Sequence, residues 1–298
     1  MRRGGTKAVR PRCALMRAGL RRKVVAMRIT DGSHAGELEE LAELAYVRLA
    51  PDGAAERRTD QLQAENALRV YVNGELTMTL VCSPSNIPEL VLGRLFTEGM
   101  IAGTEDVEEI SICEHATRAI VTLHDRTADY SRKSSLTVAS CCTFNSTLNG
   151  YFVIDEELSK VTPRPWDPAW IFQMAELFER DTPVHRTTMG AHSCYLALEH
   201  EVLYCCEDLG RHNAFDKVIG RALEDGVDLT RCTVFTSGRI PTDMVVKALR
   251  AGVPTLVSKA VPTDITVRMA REYDLTLICS AHSDSLKVFS DPLGIVGA

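Results

Sequence analysis

The stretch Arg231 to Cys279, RCTVFTSGRIPTDMVVKALRAGVPTLVSKAVPTDITVRMAREYDLTLIC, decides the fold. Short apolar runs alternate in it with amphipathic ones: strand Thr233 to Thr236, helix Thr242 to Arg250, strand Thr255 to Val257, helix Asp264 to Tyr273, strand Leu275 to Ile278. Alternation of this kind implies right-handed crossovers and a largely parallel sheet. A final strand, Leu286 to Phe289, closes the pattern. Ligands of open parallel sheets collect beyond the carboxyl ends of the strands, where connecting loops and helix N-termini converge. Three loops fall there: Ser237-Gly238-Arg239, Ser258-Lys259, and Ser280-Ala281-His282-Ser283-Asp284-Ser285. Arg239, Lys259, small hydroxyls and backbone amides on one edge describe an anion-binding rim suited to phosphates or a nucleotide. The bland alternatives are an Arg239–Asp243 pair and a solvated Lys259. Both G-x-G-x-x-G and G-x-x-x-x-G-K-[ST] are missing, which excludes a standard Rossmann or P-loop site.

Upstream, Cys194 to Leu198 and Val202 to Cys206 read as a hairpin around Glu199-His200. After the polar run Glu207 to His212, Asn213 is placed to cap a helix, with Asp216 at its third position as in a capping box. Phe215, Val218, Ile219, Ala222 and Leu223 make that helix's core face. Asp167-Pro168 opens another helix, whose buried stripe is Ile171, Phe172, Ala175 and Phe178. These elements form an α/β domain over residues 151–298.

A smaller α+β domain is expected over residues 61–150. Leu68 to Val72 and Leu76 to Val81 flank Asn73-Gly74, a dipeptide that tolerates positive φ at both centres of a type I′ turn, and so predict a hairpin. Asn86 caps a helix with apolar Leu90, Val91, Leu95 and Phe96, stopped at Gly99. Strands Val107 to Ile112 and Arg118 to Leu123 complete the unit, with Cys82 and Cys113 as buried apolar thiols. Residues 1–60 read as a basic tail and linker with one short helical pattern, Leu38 to Tyr46, so that folded structure starts near Glu65. Arg21-Arg22-Lys23 precedes only four apolar residues, too few for a secretory signal, and no serine comes before Ser33, against a transit peptide.

The 298 residues are 45% hydrophobic and 25% charged, the balance of a globular chain. No apolar run reaches the length that spans a bilayer. Net charge is −6, and because residues 1–30 carry ten Lys or Arg and no acid, the 24 basic residues that remain face all 40 acidic ones. An acidic body argues against a nucleic-acid partner. Ten irregularly spaced cysteines in a chain this long read as reduced, cytoplasmic thiols.

Between Asp129 and Gly150 the sequence turns polar and holds Cys141 and Cys142 side by side. Adjacent Cα atoms lie about 3.8 Å apart, shorter than the roughly 4.4 to 6.8 Å of an unstrained disulfide. The pair is therefore read as reactive thiolates, as two small loop residues, or as metal ligands, although C-x-x-C spacing is absent. His192, Cys194, Cys205, Cys206 and His212 raise zinc a second time. The deaminase signatures H-x-E and P-C-x-x-C are missing, and no resident metal is expected.

The run Glu207-Asp208-Leu209-Gly210-Arg211-His212-Asn213-Ala214-Phe215-Asp216-Lys217-Val218-Ile219-Gly220 resembles the E-D-[VL]-G-R-H-N-A-x-D-K-x-[IL]-G signature of the formate dehydrogenase accessory sulfurtransferase family, FdhD. Val72-Asn73-Gly74-Glu75, Thr97-Glu98-Gly99-Met100-Ile101, Gly190-Ala191-His192, Ser237-Gly238-Arg239-Ile240-Pro241 and Val257-Ser258-Lys259 with Pro262-Thr263 extend the resemblance over about residues 65 to 292. It implies a cytidine-deaminase-like fold for the second domain, without zinc chemistry. It also implies a cytoplasmic sulfur carrier that takes sulfur from a cysteine desulfurase as a persulfide and passes it to molybdenum bis(molybdopterin guanine dinucleotide), for formate dehydrogenase or a related molybdoenzyme. The family's sulfur-carrying cysteine falls on Cys141. Relatives continue Cys-Gly-x-Cys, whereas here Cys142 follows and Phe144 stands three residues on, which puts a two-cysteine relay in doubt. The cofactor-binding segment falls on Ser280 to Ser285, with His282 and Asp284 where relatives often carry Arg and Gly.

From these readings Ser237, Gly238, Arg239, Ser258, Lys259, His192, Asp208, Arg211, His212 and Asn213 join the cofactor-binding set, with guanine edges assigned to Asp208, Asn213 or Asp216. Glu207 to Lys217 are alternatively a lock between hairpin and helix. The competing function is a cofactor chaperone without covalent sulfur chemistry, and the third is a zinc enzyme. Oligomeric state is open, a homodimer included.

Overall fold

A computed structural model of the chain describes residues 27–33, 39–127, the backbone of 137–138, 158–180 and 182–297. Its second half is the α/β unit that the 231–279 pattern predicts. Six strands lie in the order β10-β9-β11-β12-β13-β14: β9 His192–Leu198, β10 Glu201–Asp208, β11 Cys232–Thr236, β12 Thr255–Ser258, β13 Thr276–Cys279 and β14 Lys287–Ser290. Only β11, β12 and β13 run parallel to one another. The tight hairpin β9–β10 extends them antiparallel on one side, and β14 does so on the other, because short connections return a chain antiparallel.

Side chains alternate across a strand, so this sheet has two apolar faces. Leu196, Val234, Leu256 and Leu277 look toward helices α4 (Arg211–Glu224), α5 (Thr242–Arg250) and α6 (Asp264–Glu272). Tyr195, Phe235, Val257 and Ile278 look the other way, onto Ile171, Met174, Ala175 and Phe178 of α2 (Pro168–Arg180). That helix begins as its sequence predicts, the Asp167 carboxylate accepting from the amide of Ala169 at 2.9 Å. A short helix α3, Pro183–Thr188, leads into β9.

The first half is a second six-stranded sheet in the order β1-β6-β7-β4-β5-β8, formed by β1 Arg28–Asp31, β4 Asn66–Val72, β5 Glu75–Cys82, β6 Val107–Ile112, β7 Arg118–Leu123 and β8 Thr137–Val138. Asn73 and Gly74 both take positive φ in the β4–β5 turn, as expected. Helix α1, Ile87–Thr97, buries Ile87, Leu90, Val91, Leu92 and Leu95 on this sheet.

Helices α1 and α4 cross at the junction of the two halves. A methyl group built on Gly93 would overlap the carbonyl of Asp216, and one on Gly220 the carbonyl of Glu89, so the two backbones touch where neither residue has a side chain.

The reading of residues 28–60 is corrected. Arg28–Asp31 is a strand parallel to β6, tied by Gly32 N–H to Ile112 O at 3.0 Å. The expected helical pattern at Leu38 to Tyr46 is instead β2, Leu41–Leu49, paired with β3, Ala55–Gln63, in a separate two-stranded sheet. The missed signal is Pro51-Asp52-Gly53, a turn sequence between two strand-length runs. Gly53 sits there at φ 85° and donates to Ala50 O. Residues 1–26 and 139–157, with Cys141, Cys142 and the boundary expected at 150, lie outside the described residues.

Candidate functional site

The three loops converge as the strand pattern requires. Ser258 Oγ donates to Gly238 O at 2.6 Å, Lys259 N–H to Thr236 O at 3.0 Å, Ala281 N–H to Ser258 O at 3.0 Å, and Ile240 bridges to Pro262. Because β9 runs antiparallel to β11, its first residue reaches the same edge. His192 Nδ1 lies 3.1 Å from Ser237 Oγ, which also accepts from Ser193 N–H at 3.0 Å.

The side chains of Arg239, exposed, and Lys259, half-buried, make no ion pair among the described residues. The alternative partner for Arg239 is taken, since Asp243 Oδ2 lies 2.7 Å from His212 Nε2. One expectation needs correction. The rim's backbone amides are mostly spent inside the fold: those of Ser237, Ile240, Lys259, Ser280 and Ala281 donate to carbonyls of neighbouring segments, and those of Gly238, Ala260 and His282 to oxygens of their own loops. Cationic side chains, not an amide cradle, are what this edge offers an anion. Ser283, Asp284 and Ser285 are exposed, and His282 Nδ1 lies 3.4 Å from Glu179 Oε1.

Beneath the rim sits the run 207–217, buried except at Glu207 and Leu209, which are half-buried. Asp208 is fully buried, and its two oxygens accept from Ser83 N–H and Oγ, Gly210 N–H and Asn213 Nδ2, with Lys217 Nζ at 2.7 Å. Asn213 Nδ2 also donates to Val81 O at 2.8 Å. Asp216 is equally buried, bound to Lys247 Nζ at 2.8 Å, Arg94 Nη1 at 3.1 Å and Thr97 Oγ1 at 2.7 Å. The assignment of guanine edges to these residues is therefore corrected. Buried carboxylates must be paired, and both spend their oxygens on the protein. Helix α4 starts at Arg211 with Gly210 as its cap, three residues before the expected cap Asn213, whose side-chain amide is turned to Asp208 and Val81.

Arg211 is buried, and its aliphatic stem lies so close to Gly238 that a Cβ there would fall 2.6 Å from Arg211 Cδ. Burial first, then the neighbouring Arg211, His185 and His212, hold His192 below the ordinary histidine range. Burial likewise holds His212 down, outweighing Asp243. Both rings are neutral at pH 7.

The cysteines once weighed as zinc ligands are scattered. Cys194 and Cys206 face each other across β9 and β10 within the core, Cys205 is exposed, and no cluster of three His, Cys, Asp or Glu suited to a metal occurs among the described residues. Among the same residues no helix is long and apolar enough to cross a membrane. Glu207, read from sequence as the start of a lock between hairpin and helix, accepts from Val184 N–H, His185 N–H and Ser193 Oγ, joining α3 to the start of β9.

The sequence model of the FdhD/NarQ family matches residues 63–296. The chain belongs to that family. Among its FdhD/NarQ relatives is the sulfur carrier protein FdhD of Listeria monocytogenes serotype 4b, 32% identical over 250 residues that cover 82% of this chain and 95% of the relative. The sulfur carrier protein FdhD of Bacillus subtilis is 30% identical over 243 residues, covering 80% and 92%. A crystal structure described as a formate dehydrogenase accessory protein from Desulfotalea psychrophila superposes with a TM-score of 0.71 at 23% identity, over 87% of this chain and all of that one, and shows the shared fold. The match of the FdhD/NarQ model begins at the end of β3, leaving most of the β2–β3 hairpin before it.

Proposed function

We propose that the chain is a sulfur carrier in the maturation of formate dehydrogenase, or of a related molybdoenzyme, with Cys141 as the carrying thiol and molybdenum bis(molybdopterin guanine dinucleotide) as the substrate that receives the sulfur. The names of its relatives support the carrier role. The finer reading rests on one path of contacts. β8, Thr137–Val138, pairs with β5 with Val138 opposite Leu80. Three residues on from Leu80, just past the end of β5, Ser83 is held by Asp208; Asp208 holds the amide of Gly210; and Arg211 lies under Gly238, next to Arg239. Cys141 follows Val138 by three residues in the sequence. The proposed thiol thus follows in sequence a strand that this path of contacts links to the rim, which supports the reading.

In the carrier step the Cys141 thiolate attacks the outer sulfur of the desulfurase persulfide. The donor S–S bond breaks, the desulfurase cysteine leaves as thiolate, and the sulfur is held as a persulfide on Cys141. Arg239 and Lys259 bind the substrate's diphosphates, while neutral His192, steadied by Ser237, offers a hydrogen bond without adding charge.

Peptide mass spectrometry after incubation with a cysteine desulfurase and cysteine tests this. Wild type and Cys142→Ala gain the mass of one reducible sulfur atom on the peptide holding residue 141, and Cys141→Ala does not. A wild-type chain that binds the dinucleotide yet never gains sulfur would be a chaperone, and the proposal would be wrong.

A further inference from the structure

On the sheet of the first half, Leu68, Val70, Val72, Ala119 and Val121 pack into the core under α1, and the residues that alternate with them on β4 and β7 look the other way. Arg69, Arg118 and Ile120 are exposed there and Tyr71 is half-buried. Strand register sets this outer side in rows. Ser111, Ile120, Tyr71 and Leu76 make one, with Ile120 42% and Leu76 44% exposed. The next is Arg118, Arg69 and Thr79, and it runs on to the backbone of Thr137 in the edge strand β8.

Two arginines abreast on strands about 4.8 Å apart repel each other, and such a pair lowers the stability of a sheet. Neither guanidinium has a carboxylate partner among the described residues, and Glu109 on the same side is taken by Arg28 at 3.4 Å. A free phosphate would use the two guanidinium forks and leave the apolar row beside them uncovered. A protein surface that sets carboxylates against the forks and apolar side chains against Ile120, Tyr71 and Leu76 uses both rows. The arginine row ends at β8, the strand that Cys141 follows in sequence by three residues. We infer that this open face docks the sulfur donor, with carboxylates of the desulfurase set against Arg69 and Arg118. The inference rests on the carrier reading above and adds to it the surface on which the donor sits.

Biolayer interferometry of the full chain against a cysteine desulfurase tests this, with Arg69→Thr/Arg118→Thr as the variant because threonine suits a strand and carries no charge. The variant associates about tenfold more slowly than wild type, and raising the salt from about 0.05 M to about 0.3 M slows wild type and hardly changes the variant. Its melting temperature equals or exceeds that of wild type, since a repulsion inside the sheet is gone. With limiting desulfurase and cysteine it also gains sulfur on residue 141 about tenfold more slowly. Equal association of the two proteins, with sulfur gained by both, overturns the docking face and leaves the carrier reading standing. A wild type that binds the desulfurase and never gains sulfur sinks the carrier reading and this inference together. A variant that melts well below wild type would place a carboxylate of this chain on the arginines, and that too overturns the inference.

Discussion

The carboxylate of Asp208 and the ammonium of Lys217 lie 2.7 Å apart with neither side chain reached by solvent. Five further residues surround them: Asp208 accepts from Ser83, Gly210 and Asn213, and the ammonium donates to Ser83, Ser85 and the carbonyl of Glu207. Removing one member of such a pair strands the other in a medium that cannot solvate it, at a cost of about 3–5 kcal/mol. Lys217→Met and Asp208→Asn are each expected to lower the free energy of unfolding by that amount, read from urea unfolding followed by circular dichroism. A loss below about 1 kcal/mol would show that the pair contributes little to stability.

Gly220 is needed for contact, since its φ is ordinary and its lack of a side chain lets α4 touch α1. Gly220→Ala pushes a methyl into the carbonyl of Glu89 and should cost about 1–3 kcal/mol, although alanine is the better helix former. Gly226→Ala, where no atom lies within 4 Å of the new methyl but φ is +66°, provides a control that tests backbone strain alone. Thermal melts of the two variants separate these causes.

Arg239 and Lys259 are predicted to matter for binding and not for folding. Each Ala variant should melt within about 0.5 kcal/mol of wild type. Each should also bind guanosine diphosphate about tenfold more weakly by calorimetry, the loss of one charge-assisted bond. Unchanged affinity in both would remove the rim as the phosphate site.

The sequence showed much of this rim and little of what lies under it. The strand–helix alternation from Thr233 onward places Ser237, Ser258 and Ser280 on one edge because parallel strands end together, a consequence of period and handedness that one chain segment carries. Among the partners of Asp208 and Asp216, Ser83, Arg94 and Thr97 are more than a hundred residues away, and no local pattern encodes such a pairing. The polar run beside that edge reads from sequence equally as ligand contact or as a lock between hairpin and helix, and its buried members serve the interior. The hairpin at 41–63 was missed for another reason: Leu41 and Ala45 fit a helical period as well as a strand, and only the Pro-Asp-Gly turn distinguishes them.

His192 and His212 give the fold an acid-side weakness. Their folded values lie below the ordinary one near ~6.5, so the unfolded chain takes up protons first. The stability they contribute is complete above that value and is lost as pH falls below it. Melting temperature should fall between about pH 7 and pH 5. His192→Gln should flatten that decline, and an unchanged slope would exclude His192 as a source of it.

Thiol reactivity is expected to split the described cysteines. Burial pushes Cys82, Cys206, Cys232 and Cys279 up to about 12, and raises Cys194 well above its ordinary value. At Cys113 burial also acts upward but is outweighed by the Thr117 hydroxyl and the amides of Arg118, Thr117 and His115, which lower it. Brief iodoacetamide treatment at pH 7.5, read by peptide mapping, should label Cys113 ahead of the five buried thiols, which react only after unfolding.

The α1–α4 crossing has a wider consequence. Two helices in backbone contact, fastened by Asp216 to Arg94 and Lys247, cannot slide or part without exposing bare carbonyls and unpaired charge together. The two sheets are thereby welded into a single cooperative block, and calorimetry should record one melting event spanning both. Whatever motion sulfur delivery demands must come from segments outside that block, which acts as an anvil and not as a hinge.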